Sequence, residues 1–236
     1  TNKTDWYELN EARLQMKPYA NESIEVVTAS MVSPSGPTAA GKYGTGLMSL
    51  SATAAPALNT AGTNWDIATE AAKKYGNEMH RSSWRMIGLV HVAETNEQAI
   101  NDVQFGLEEW TQYFEDVAVV PMVPEDRRSD PLSHLIESGM AAVGTPDVVI
   151  NQIETLWEAS QGGFGCFLIT DHNWAPFEAK LKSYELIARY VFPHFNDLNS
   201  QRVSSNKWVA SSQSDFKASS ERATTEQIDR YNESKD

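Results

Sequence analysis

The sequence predicts an α/β fold built on a parallel sheet. Strand-like and helical runs alternate through residues 1–198, in the order strand, helix, strand, helix, strand, helices, strand, helix, which is the pattern of crossover units. The last strand-like run, Phe164 to Thr170, is apolar throughout, as in a strand covered on both faces. The count is four strands, whereas a closed (β/α)8 barrel takes eight in about 250 residues. Four strands make either a small open sheet or half of something larger.

The first unit is the most informative. Ile24 to Ala29 is rich in β-formers and opens it. Ser33-Pro34-Ser35-Gly36-Pro37 breaks the strand, and Thr38 to Tyr43 suits about two helical turns with Pro37 at the first helical position. Gly44 and Gly46 stop that helix, and Leu47 to Ser51 forms the second strand. Such a turn is expected to leave the N–H groups of Ser35, Gly36 and Thr38 without helical partners. The hydroxyls of Ser33, Ser35 and Thr38 add donors, and the set makes an anion site at a helix N-terminus. The same residues read equally well as an ordinary strand-to-helix turn in which Ser35 or Thr38 only caps the helix.

The other elements follow in order. Thr1 to Tyr19, with Trp6, Leu9 and Leu14, reads as a loop arm packing by its aromatics. Ala52 to Asn64 is small and polar and reads as a loop. Trp65 to Tyr75 has helical spacing, with Asn64 as cap and Gly76 as stop. Trp84 to Ala93 is the third strand. Thr95 caps one long helix from Asn96 to about Val117, whose apolar face runs from Ala99 through Val103, Phe105 and Trp110 to Phe114. Pro121 to Asp130 is a charged loop, and Leu132 to Glu137 is a short helix ended by Gly139. Thr145 and Pro146 start a helix over Val148 to Ser160, which Gly162 and Gly163 end. Phe164 to Thr170 is the fourth strand, Asp171-His172-Asn173-Trp174 its loop, and Glu178 to Tyr190 the last helix before Pro193. Residues 199–236 are rich in Ser, Thr, Asn and Gln and form a second region, a loosely packed helical or disordered tail.

The totals narrow the function. The chain has 236 residues, 41% of them hydrophobic, which is enough for a core. Its net charge of −13 lies wholly in residues 1–198, and it disfavours nucleic acid or an anionic membrane as partner. The single cysteine, Cys166, rules out an internal disulfide framework and suits a reducing, cytoplasmic setting. No apolar run approaches the roughly 18 residues of a membrane span, and no signal peptide is visible.

Three blocks resemble the bacterial-luciferase-like flavin-dependent monooxygenases, most closely the limonene-monooxygenase-like branch. The first is Ala29-Ser30-Met31-Val32-Ser33-Pro34-Ser35-Gly36-Pro37 with Ala39-Ala40-Gly41-Lys42-Tyr43-Gly44. The second is Gly144-Thr145-Pro146-Asp147 with Gln152-Ile153. The third is Gly162-Gly163-Phe164-Gly165-Cys166-Phe167-Leu168 with Ser183-Tyr184-Glu185-Leu186 and Ala188-Arg189-Tyr190-Val191. Any one block is a weak signal; their order and spacing span Asp5 to Phe195. The resemblance implies a (β/α)8 TIM barrel of which these strands are the last four, with the first four βα units expected ahead of Thr1. It implies that the catalytic residues are not in this chain. It places the flavin phosphate on Ser33 and Gly36, with Ser35 and Thr38 as further candidates. The implied reaction uses reduced FMN, supplied by an NADH-dependent flavin reductase, and O2 to oxygenate a small hydrophobic substrate, for which a monoterpene such as limonene is one candidate. Related proteins pair, so a homodimer is implied as well. An F420-dependent oxidoreductase of the same fold, a non-catalytic flavin-binding protein, and a fragment without independent function stay open beside it.

Barrel sites sit at the C-terminal ends of strands. On that rule Ser49, Ser51, His91, Asp171, His172 and Trp174 face the flavin ring or substrate. The two histidines and Asp171 have plainer readings. His91 lies in an apolar strand and suits a satisfied core histidine, and Asp171-His172 suits the start of a loop. Thr145-Pro146-Asp147 is a complete helix start. Cys166, among bulky apolar residues, reads as a buried, inert thiol. His80, His134 and His194 are scattered, and no spacing suggests a metal.

Overall fold

The computed structural model describes residues 1–13, 15–19, 24–117, 122–197 and 200–235. Leu14 of the leading arm, Pro121 of the charged loop and the boundary at 198–199 lie outside them. The arm carries a small antiparallel ribbon, β1 (Asn2–Lys3) with β2 (Glu8–Leu9). Its described residues are all exposed, Trp6 included, so its aromatics do not pack on the body as expected.

The parallel sheet begins at β3 (Val27–Ser30), followed by α1 (Ser35–Tyr43) and β4 (Gly46–Ser49). The helix α1 starts two residues earlier than predicted, so Pro37 stands at its third position. Gly44 ends it in the left-handed region at φ 65°, which glycine adopts without a Cβ penalty. Next comes α2 (Ala55–Tyr75), 21 residues long. The predicted loop over Ala52 to Asn64 is mostly the first half of this helix. Its buried positions there are Ala57, Ala61, Gly62 and Asn64, none of them a large apolar residue. A Cβ on Gly41 would lie 2.1 Å from Ala68 O, so the two helices touch backbone to backbone.

The third strand of the sheet is β5 (Trp84–Val92), and the long helix expected after it is two, α3 (Asn96–Val103) and α4 (Leu107–Asp116). Thr95 caps α3 as predicted, accepting from Gln98 N–H. The break falls at Gly106, whose N–H donates to Trp174 O at 2.8 Å, a long-range bond with no local signature. Then come α5 (Pro131–Glu137), the short strand β6 (Ala141–Gly144) that the sequence did not reveal, and α6 (Pro146–Ala159). The chain returns to the sheet as β7 (Cys166–Thr170) and continues through α7 (Phe177–Leu186), a π turn at Ile187–Val191 and α8 (Phe192–Phe195). Pro193, which has no N–H to give, accounts for that turn. The tail is helical, α9 (Ser200–Ser211) and α10 (Gln213–Glu233), and buries none of its described residues.

The order is β3-β4-β5-β6, with β7 also on β5. One face of the sheet is covered: Trp84 and Met86 of β5 pack with Trp65 and Leu156, and Val90 and Val92 with Ile153, Leu186 and Ile187. On the other face, α3, α4 and α5 cover β6 and the C-terminal end of β5, where Leu89, Ala141 and Val143 pack with Val103, Leu107 and Trp174. Register sets Ala29, Met48, Arg85 and Cys166 in one row across four strands of that second face. None of these four is buried. Cys166 is therefore exposed, not an enclosed thiol, and β7 is not covered on both faces.

Candidate functional site

The turn between β3 and α1 lies at the C-terminal end of the sheet. It needs glycine at Gly36, because a Cβ there would sit 2.6 Å from Ala29 O and 2.8 Å from Ser30 Cβ. The Ser33 and Ser35 hydroxyls lie 2.6 Å apart at the surface, and Ser33 Oγ accepts the Ser35 N–H at 3.2 Å. Thr38 departs from expectation. Its N–H donates to Pro34 O at 3.0 Å and its hydroxyl donates to the same oxygen at 2.7 Å, so both of its donors are committed. Neither Ser35 nor Thr38 caps the helix; Pro34 holds the cap position without a side-chain bond. Gly36 N–H has no hydrogen-bond partner among the described residues. Ser30 Oγ is buried beside it, also without a partner. From below, buried Asn64 on α2 donates to Met31 O at 3.3 Å. An anion fits this turn on the chain's own chemistry: an orphaned hydroxyl, an open amide, two surface hydroxyls and no acidic residue in the first turn of α1.

A second feature opens at the same end of the sheet. Ile87 and Leu89 of β5 and Trp110 and Phe114 of α4 meet Met122 and Met140 around a recess of about 150 Å³. Ser51 and Thr170 are its polar members. Ser51 holds a left-handed backbone at φ 46°, uncommon for a residue with a side chain and more often found at functional loops. The predicted Ser49 is not in the recess; its hydroxyl accepts the Trp84 indole N–H at 3.0 Å.

Behind the recess lies a buried polar cluster. His91 is fully buried, with Nε2 3.2 Å from Asp102 Oδ2 and Nδ1 lacking a partner. Burial lowers its pKa, against the pull of Asp102. So His91 is a core histidine satisfied at only one nitrogen. His172 hydrogen-bonds at both, and burial pushes its pKa down to about 4. Trp174, also fully buried, stacks on His172 and meets Trp110 edge-on at 4.9 Å. Asp171 turns away to α7, where it accepts from Tyr184 OH at 2.8 Å and pairs with Lys180. The Tyr184 bond holds its carboxyl below the usual range, while burial first and Asp171 second push the Tyr184 phenol up to about 12. Of the predicted ring or substrate residues, then, Ser51 lines the recess, Trp174 backs it through Trp110, His91 and His172 lie deeper, and Asp171 faces outward. Among the described residues no three His, Cys, Asp or Glu side chains gather as a metal would need.

Limonene 1,2-monooxygenase of Rhodococcus erythropolis is 42% identical to this chain over 200 residues, 83% of this chain and 50% of that protein. The chain resembles this relative and, through it, the luciferase-like monooxygenase family. 4-Hydroxyprotoasukamycin monooxygenase of Streptomyces nodosus subsp. asukaensis is 34% identical over 216 residues, 89% of this chain and 57% of that one. This luciferase-like chain thus spans about half the length of the curated relatives it matches. Among solved structures, the oxygenating constituent of 3,6-diketocamphane monooxygenase from Pseudomonas putida, in complex with FMN, matches with a TM-score of 0.58 at 24% identity, over 75% of this chain and 50% of that one. An F420-dependent secondary alcohol dehydrogenase matches with a TM-score of 0.55 at 20% identity, over 80% and 54%. At these identities the two structures speak for the α/β fold with its parallel sheet. No family model matches the chain.

Two groups of residues escaped sequence reasoning. The sequence pattern makes Asn64 the cap of a helix starting at Trp65, whereas it lies inside α2 and is buried, its amide donating to Met31 O. The recess wall joins residues far apart in sequence, Trp110 and Phe114 with Met122 and Met140, and no spacing links them.

Proposed function

We propose that this chain is the flavin-phosphate-binding, C-terminal half of a luciferase-like (β/α)8 barrel, and that the complete protein is a flavin-dependent monooxygenase. The observation that carries the proposal is the turn at Ser33 to Gly36, with its open Gly36 amide and the orphaned Ser30 hydroxyl beneath it. Ser33, Ser35 and Gly36 hold the FMN phosphate, and Thr38 fixes the turn through its two bonds to Pro34 O. Bound reduced FMN supplies the electrons that activate O2. The chain's own part is to orient and to exclude water. The recess, with aromatic and Met walls, holds an apolar ring, either the flavin edge or a small hydrophobic substrate such as limonene. The sheet face bearing Met48, Arg85 and Cys166 is the barrel interior, lined on its far side by the remaining strands. Residues 1–198 form the barrel portion and 199–236 a separate tail. An NADH-dependent reductase delivers the flavin in the cytoplasm, and two copies pair. No helix among the described residues is long and apolar enough to cross a membrane.

The test titrates FMN and reduced FMN into this chain and into a version carrying the preceding half barrel, then follows oxygen uptake with limonene. Binding and uptake by the longer version support the reading. Tight FMN binding with no oxygen uptake by either favours a non-catalytic flavin carrier. The match to an F420-dependent enzyme motivates a parallel assay with F420, and turnover there alone replaces the monooxygenase reading.

A further inference from the structure

One side chain holds the loop after β7. That strand ends at Thr170 while β5 runs on to Val92, so the Val90 carbonyl has outrun its neighbour. His172 supplies the missing partner: its Nε2–H donates to Val90 O at 3.0 Å, and its Nδ1 accepts the Trp174 N–H at 3.3 Å. These two bonds fix a neutral ring in the Nε2–H tautomer. The ring also stacks on Trp174 at 4.7 Å, and Trp174 meets Trp110 of the recess at 4.9 Å. The Trp174 carbonyl accepts the Gly106 N–H at the break that starts α4, the helix carrying Trp110 and Phe114. Sheet, loop and recess wall are thus coupled through one imidazole.

We infer that His172 is a positioning residue, fixing the Trp174–Trp110 wall and so setting the width of molecule the recess accepts. The inference rests on the proposed reading of the recess as the ligand lobe. Both ring nitrogens are committed, so His172 acts through Trp174 and does not touch the ligand.

His172→Phe keeps the stack and removes both hydrogen bonds, while His172→Gln keeps a donor toward Val90 O. The readouts on the full chain are amide hydrogen exchange at Gly106 and the relative uptake of two probes, limonene and the bulkier 2-adamantanone. In His172→Phe the Gly106 amide is expected to exchange about tenfold faster, and the preference between probes to narrow; His172→Gln restores part of both. Wild-type exchange and an unchanged preference in the Phe variant overturn the inference. Where the Phe variant does not fold, the wild type decides. Nitrogen NMR of its labelled imidazole at neutral pH must show the Nε2–H tautomer, and an Nδ1–H ring overturns the inference. Wild-type protein that takes up neither probe sinks the ligand-lobe reading, while exchange and tautomer still judge the clamp.

Discussion

At the scale of single residues, the turn at Gly36 leaves no room for a side chain. A methyl group there meets a strand carbonyl at 2.6 Å, and neither strand nor helix can yield without moving the other. Gly36→Ala is expected to cost about 1–3 kcal/mol, read by denaturant titration, and on the proposed reading of the turn to lose most affinity for FMN, read by FMN titration. Stability also depends on His172 through pH. Burial is the main cause of its low pKa; the Val90 carbonyl and Asp171 favour the charged ring, and His91 and Lys180 oppose it. The folded value near 4 lies below the ordinary 6.5, so between these the unfolded chain binds a proton that the folded chain refuses. The contribution is full above 6.5 and is lost as pH falls toward 4, roughly 3 kcal/mol in all. His91, lowered by burial, acts in the same direction. Denaturation midpoints are expected to fall from neutral pH to about pH 5, with a shallower slope in His172→Phe; equal slopes would contradict the assignment.

At the scale of elements, the sequence was legible where local chemistry decides and illegible where contact decides. Thr95, Pro146, Gly44 and Gly76 marked helix ends because caps and left-handed glycines act within one turn. The strand-turn-helix around Ser33 was legible for the same reason. The first half of α2 was not, because its buried positions are alanine, glycine and asparagine and so form no stripe of large apolar residues. β6 has only four residues, and the gap between α3 and α4 depends on a loop nearly seventy positions away (Gly106 to Trp174). That gap is open to test. A Cβ on Gly106 would lie 2.2 Å from Asn173 O, so Gly106→Ala must push the loop from the helix. The expected loss is about 2 kcal/mol, seen as a lower melting temperature, together with weaker probe binding in the recess.

At the scale of the whole molecule, two surfaces separate what the body needs from what it lacks. The helices α9 and α10 bury nothing, so removing residues 199–236 is expected to change stability by less than about 0.5 kcal/mol. A large loss on truncation would place the tail within the folded unit. The second surface is the open sheet face. β7 lays Leu168 opposite Ile87 there, and both are only half-buried. An exposed sheet face of this composition is unusual for a parallel sheet, which is ordinarily covered on both sides. On the half-barrel reading, Leu168 is an interior residue whose cover comes from other strands. Leu168→Glu then has two different costs. In this chain the carboxylate stays hydrated, and the change is expected to cost under about 1 kcal/mol. In the version extended by the preceding half barrel the same carboxylate is enclosed without a partner, and the cost rises to about 3 kcal/mol or more. Denaturant titration of both pairs measures the difference. Equal small costs would mean that the added strands do not line this face, and the half-barrel reading would fall with its location of the flavin ring.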